Sequence, residues 1–253
     1  MEEKMSKSET PKASDWQNDL EFAKSLGITF SDDNKTLIKS PVTVTSVRIP
    51  SCVTSIAENA FEGCVNLTNV VIPDSVTKIG KFAFFKCCNL TDIVIPDSIT
   101  DIPGYVFCEC TNLTNVVIPD SVTIIVDYAF KGCVNLKNVI IPDGVTYIGW
   151  HVFENCSQLT DIVIPEGVTY IDEYTFAGCK KLTGLTIHDK MVYIDECAFL
   201  GCTGLTEVTL PDSMRGIGEG CFAGCTQLTQ ITMPAKTKCE REAIPESCKI
   251  IKR

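Results

Sequence analysis

The stretch Leu67–Asn89, LTNVVIPDSVTKIGKFAFFKCCN, decides the fold, because the chain repeats it about eight times without an insertion. Proline falls on a 23-residue grid at Pro50, Pro73, Pro96, Pro119, Pro142, Pro165, Pro211 and Pro234, with His188 as the one gap. Phenylalanine keeps the same step from Phe61 to Phe222, leucine from Leu67 to Leu228, and cysteine from Cys64 to Cys248. Leu67, Val70 and Ile72 are spaced as the inward residues of a short strand rich in β-branched side chains. Pro73-Asp74-Ser75 reads as a turn. Val76 and Ile79 form a second apolar pair, Gly80 permits a tight bend, and Ala83, Phe84 and Cys87 return the chain through a 3₁₀-like turn. One such unit cannot bury its own apolar face, so the units must stack and turn each column into continuous core. At a strand spacing of ~4.8 Å, eight coils make a rod roughly 40 Å long.

The pattern L-x-x-[VI]-x-[IL]-P-x-x-V-x-x-I-G-x-x-A-F-x-x-C resembles the BspA-like (Treponema-type) leucine-rich repeats from about Thr43 to Arg253. The resemblance implies an α/β leucine-rich-repeat solenoid: β-rich right-handed coils with a parallel sheet, short 3₁₀ or helical turns and few true helices. It also implies binding to host or matrix proteins at a bacterial or protist surface.

The expected organisation is a disordered lead-in at 1–12, an N-terminal cap at 13–42, a solenoid at 43–234 and a partial coil or cap at 235–253. Ser14 and Gln17 fit a capping box, and Trp16, Leu20, Ala23 and Leu26 follow as an amphipathic helix ending at Gly27. Trp16 is expected to pack in the cap. Ile28-Thr29-Phe30 and Thr36-Leu37-Ile38 read as a hairpin.

The chain has 253 residues and a net charge of −10, with 32 acidic against 22 basic residues. That balance opposes nucleic acid and favours basic partners. No run is long and apolar enough for a membrane span. MEEKMSKSETPKAS has no signal-peptide core, so a cytoplasmic location is expected. A secreted or surface location is the alternative if a signal has been removed.

Fifteen cysteines suggest disulfides or metal, but nine lie on the ladder and read as buried thiols acting as small hydrophobes. A Cys239–Cys248 bridge remains an open alternative at the C-terminal cap. Cys87-Cys88 and Cys108-Glu109-Cys110 are not zinc spacings. The column Asp74, Asp97, Asp120, Asp143, Glu166, Asp189, Asp212 reads as turn carboxylates accepting local N–H bonds, with calcium as the lesser alternative. His151 and His188 have no sequence-local Ser, Cys or carboxylate arrangement that the repeats would not supply by chance. No enzyme activity, cofactor or metal is expected.

Binding must therefore use columns the core does not need. Val71, Val94, Val117, Ile140 and Val163 should face outward as an aliphatic stripe, rimmed by Asn69, Asp92, Asn115, Asn138 and Asp161. The alternative is that valine is simply a good strand former there. All six tyrosines fall in two columns: Tyr147, Tyr170 and Tyr193 in one, Tyr105, Tyr128 and Tyr174 in the other. Tyr147, Trp150, Tyr170 and Tyr193 are candidate partner-binding residues, or else aromatics that stack from coil to coil. The expected function is a non-enzymatic protein-interaction module. The alternatives are an exported adhesin for protein or glycan, and a self-associating rod in which Val71–Val163 stripes pair.

Overall fold

A computed structural model describes residues 16–253. It is a solenoid of about nine parallel-stacked turns of about 23 residues, with one short N-terminal helix. Each coil has three sides. The first carries the anticipated strand, as in Asn69–Val71, Asp92–Val94 and Asn115–Val117, paired in parallel at a constant step such as Asp92 to Asn115. Its burial alternates out, in, out, so Val70 and Ile93 enter the core while their neighbours face solvent. The apolar pair after the turn is also a strand: Lys78–Ile79, Ile124–Ile125 and Tyr147–Ile148 belong to a second parallel ladder. This ladder is interrupted after Tyr147–Ile148 and, for a reason visible in the sequence, after Lys78–Ile79. The next residue in the Gly80 column is Pro103, whereas Gly80 and Val126 there donate N–H bonds to Ile56 and Ile102 of the preceding coil at 2.8 and 2.9 Å. Proline has no N–H to give.

The third side consists of turns. Cys87 N–H donates to Phe84 C=O at 3.1 Å, the expected i to i−3 pattern. Alternate N–H groups cross to the next coil instead: Phe82, Phe84 and Lys86 donate to the carbonyls of Gly104, Val106 and Cys108. To aim these donors, Phe82, Tyr105, Tyr128, His151 and Tyr174 all take left-handed φ, between 55° and 62°. Non-glycine residues rarely adopt this region.

The reading of Gly80 as a bend is corrected. A Cβ on Gly80 would collide with the backbone of Ala57 and Glu58, so glycine permits close approach between coils. The expected turn carboxylates are also corrected. Asp74, Asp97, Asp120 and Asp143 are exposed, and none accepts a local N–H bond. The turns close through backbone bonds such as Val76 N–H to Pro73 C=O at 3.0 Å. The adjacent serine then reaches back a coil, as Ser75 donates to Val53 C=O at 2.8 Å.

Phe61, Phe84, Phe107, Phe130, Phe153, Phe176, Phe199 and Phe222 form one stack through the core, with ring centroids 5.0 to 5.6 Å apart. Burying each ring contributes about 1.5–3 kcal/mol of transfer energy, opposed by conformational entropy. The cysteine ladder runs beside it, and each thiol has a fixed partner. Cys87, Cys110 and Cys133 donate to the carbonyls of Phe61, Phe84 and Phe107 in the preceding coil, all at 3.1 Å. The ladder thus bonds neighbouring coils as well as filling space.

The helix Trp16–Ser25 ends at Gly27 with φ 84°, and Ala23 and Ile28 are buried beneath it. The Ser14–Gln17 capping box and the Trp16 side chain lie outside the described residues. Thr29–Phe30 and Thr36–Lys39 form the hairpin, and Thr36–Leu37 pairs with Ser55–Ile56 as the first rung of the second ladder. At the other end, Lys238–Cys239 pairs with Gly216–Ile217, and Lys249–Lys252 with Gln230–Met233. Residues 235–253 therefore make a complete but shortened coil. The Cys239–Cys248 bridge is not formed: all fifteen cysteines are free, Cys239 is exposed and Cys248 buried.

Candidate functional site

The first ladder carries the aliphatic stripe. Val71, Val94, Val117, Ile140 and Val163 are 42%, 61%, 53%, 83% and 63% exposed on five consecutive coils. Their neighbours Val70, Ile93, Val116, Val139 and Ile162 are buried, so these five are not needed for the core. Arg48 precedes the stripe, and Thr186 and Thr209 follow it, ending its apolar character on both sides. The rim Asn69, Asp92, Asn115, Asn138 and Asp161 is exposed, and Asn115 donates to Asp92 at 2.8 Å. Two shallow depressions lie on the stripe. One of about 380 Å³ includes Ile140, Val163 and Asp161, and one of about 240 Å³ includes Val71, Val94 and Asp92.

The tyrosine columns separate into two kinds. Tyr105, Tyr128, His151 and Tyr174 form a continuous ring stack with centroids 4.4 to 4.8 Å apart, begun by Phe82. Their contacts are mutual, which favours the stacking alternative for this column. Tyr147, Trp150 and Tyr170 are 41%, 48% and 40% exposed on the second ladder's side, with Tyr193 half-buried. Tyr170 and Tyr193 stack at 5.2 Å.

Carboxylates that sequence reasoning did not single out fix this cluster. Tyr147 Oη donates to Asp127 at 3.5 Å, Tyr170 Oη to Asp195, and Tyr193 Oη to Glu240 at 3.1 Å. Asp127 also accepts the Trp150 backbone N–H at 3.1 Å. The only available signal was acid enrichment two and three residues after the tyrosine column in the later coils. Desolvation, reinforced by these acids, pushes the Tyr147 and Tyr193 hydroxyls up to about 12 and moves Tyr170 in the same direction. The hydroxyls are therefore neutral donors at physiological pH. Asp172, partly buried beside Tyr147, is pushed up to about 6 by desolvation and by Asp195, Asp127 and Glu173.

The remaining chemistry is structural. Burial raises the ladder thiols far out of the reactive range, as for Cys110, Cys133 and Cys156. His151 Nδ1 lies 2.6 Å from Glu154, which also pairs with Lys131 at 2.7 Å. His188 bonds the Val168 carbonyl at 2.9 Å in place of the repeat proline. Among the described residues, no three His, Cys, Asp or Glu side chains gather as a metal site, and no helix is long and apolar enough to cross a membrane.

Comparison with known proteins agrees with this architecture. Curated protein sequences give no match. Among solved structures, a leucine-rich repeat protein from T. pallidum is similar at 28% identity and a TM-score of 0.63, over 81% of this chain and 89% of that one. A leucine-rich cell surface protein from Faecalibacterium prausnitzii has 24% identity and a TM-score of 0.44, over 86% and 82% of the two chains. The family profile described as BspA type leucine rich repeat region, in six copies, matches residues 36–160 and 146–252. The chain belongs to the BspA-type leucine-rich repeat family.

Proposed function

We propose that the chain is a non-enzymatic protein-interaction module whose principal contact face is the stripe Val71, Val94, Val117, Ile140 and Val163. One observation carries the reading: five consecutive coils expose an aliphatic side chain in register, on strands whose inward residues already supply the core. Its length is about four strand spacings, roughly 20 Å, and a polar rim surrounds it, as at interface cores. The family is consistent with this, being typically one of interaction or surface proteins and generally non-enzymatic. Asp92 and Asp161 on the rim, within a chain of net charge −10, favour a partner with basic residues around an apolar centre. Tyr147, Trp150, Tyr170 and Tyr193 offer a second contact on the neighbouring side, where hydroxyl bonds already order the tyrosines.

The test is affinity capture with wild type, Val117→Asp, and a Trp150→Ala/Tyr170→Ala double variant. Val117→Asp is expected to abolish capture of the principal partner, since it places a charge in a desolvated interface. The double variant is expected to weaken capture about tenfold or more if the second contact is used. Identical capture by all three would eliminate both surfaces. The family also favours a second reading, an adhesin displayed at a cell surface. Loss of the protein from intact cells treated with external protease is its expected signature. A self-associating rod requires stripe-to-stripe pairing, and a strict monomer in concentrated sedimentation runs would eliminate it.

A further inference from the structure

The outward column of the second ladder reads Tyr170, Tyr193, Gly216, Lys238 on consecutive rungs. At Gly216 the column is empty. The Tyr193 ring leans over it, so that a Cβ on Gly216 would collide with Cε2 of that ring, and Gly216 is buried although it lies on the outward side. Beyond the ring is a cavity of about 490 Å³ lined by Tyr193, Arg215, Gly216, Lys236, Lys238 and Glu240. This is within the range of small-molecule pockets. The Tyr193 ring takes up the Gly216 rung, so the cavity lies on the far side of the ring, beside Lys238 of the next rung.

The charges here depart from the rest of the chain. Arg215 stands in a column that holds threonine at Thr54, Thr77, Thr100, Thr123, Thr146 and Thr169. Among the described residues, Arg215, Lys236 and Lys238 form no ion pair, although the chain carries an excess of ten negative charges. Glu240, the one acid in the lining, accepts the Tyr193 hydroxyl and so fixes the ring rather than pairing with a cation. An ordered aromatic face thus borders three cations set against one carboxylate. An arginine fork and two ammonium groups suit the several oxygens of a phosphate better than the two of a carboxylate.

We propose that this slot binds an aryl phosphate, with its ring stacked on the outer face of the Tyr193 ring and its phosphate held by Arg215, Lys236 and Lys238. The ring continues the Tyr170–Tyr193 stack by one member. The two natural sources of such a group are a phosphotyrosine side chain and a free aryl phosphate. The site is independent of the aliphatic stripe.

The test is titration of the full chain, by calorimetry and ligand-observed NMR, with phenyl phosphate, inorganic phosphate, phenol, and a short peptide in phosphotyrosine and tyrosine forms. Phenyl phosphate should bind at least tenfold more tightly than inorganic phosphate or phenol, with upfield ring-current shifts on its protons. A phosphotyrosine peptide much tighter than phenyl phosphate identifies a protein source, and equal affinities identify a free metabolite. Arg215→Thr and Lys238→Ser alter exposed side chains, so each should keep the wild-type melting temperature and weaken phenyl phosphate about tenfold. Tyr193→Leu should remove the preference over inorganic phosphate. Val117→Asp should bind phenyl phosphate as wild type does, which separates failure of this site from failure of the stripe. No binding at millimolar phenyl phosphate, equal binding of inorganic phosphate, or undiminished binding by Arg215→Thr would each overturn the proposal.

Discussion

Asp172 shows how one residue beside the tyrosine cluster can carry a cost in stability that depends on pH. Its carboxyl lies partly desolvated beside Tyr147, with Asp195, Asp127 and Glu173 facing it, and it is pushed up to about 6. Because this lies above the unfolded value, the folded chain holds a proton between about pH 4 and 6 that the unfolded chain has released. Asp172 therefore favours the folded state fully below about pH 4, and that contribution is lost as pH rises through about 6. Asp172→Asn should melt about 2–4 °C above wild type at pH 7.5, on the order of 1 kcal/mol after discounting for solvent screening. Near pH 4 the two should melt together. A melting difference that does not change with pH would contradict this account. The acids around the tyrosines were present in the sequence only as scattered members of two variable columns. Their role depends on which hydroxyl lies opposite, one or two coils away, and composition carries no such information.

At the scale of the element, two ring stacks run side by side with opposite energetics. Phe130 is fully buried between Phe107 and Phe153, with centroids at 5.5 and 5.6 Å. Tyr128 stacks as closely, 4.4 Å from Tyr105 and 4.5 Å from His151, but from a left-handed backbone. Phe130→Ala should cost about 3–5 kcal/mol, because rings above and below hold the cavity open. Tyr128→Gly should cost under about 1.5 kcal/mol, since glycine recovers about 1–2 kcal/mol of backbone strain that offsets the lost stacking. Urea midpoints measure both, and equal losses would refute the distinction. The strand, the phenylalanine column and the cysteine column were legible because each is a statement about one unit repeated on a grid. The second sheet, the left-handed column and the thiol-to-carbonyl bonds were not, because each concerns what a unit meets 23 residues away. The same blindness explains Gly80, whose reason is the backbone of Ala57 and Glu58, and Asp74, whose turn is closed by Pro73 and Ser75 without it.

For the whole molecule, the absence of insertions means that all three sides are bonded by contacts between neighbouring coils. Among the described residues no loop bridges distant coils, so stability is close to a sum of per-coil and neighbour terms. These bonds also lie along the axis of the rod, and this gives the molecule a definite response to tension. Pulled between its ends, the chain loads its coil-to-coil bonds one rung at a time rather than all together in shear. Force–extension traces should therefore show a series of low, nearly even peaks. Each released coil of 23 residues should lengthen the chain by about 75 Å, at roughly 3.5 Å per extended residue less one strand spacing. The shortened coil of residues 235–253, bonded on one side only, should yield first and with the smallest step. A single tall rupture would show that the coils hold together as one mechanical unit.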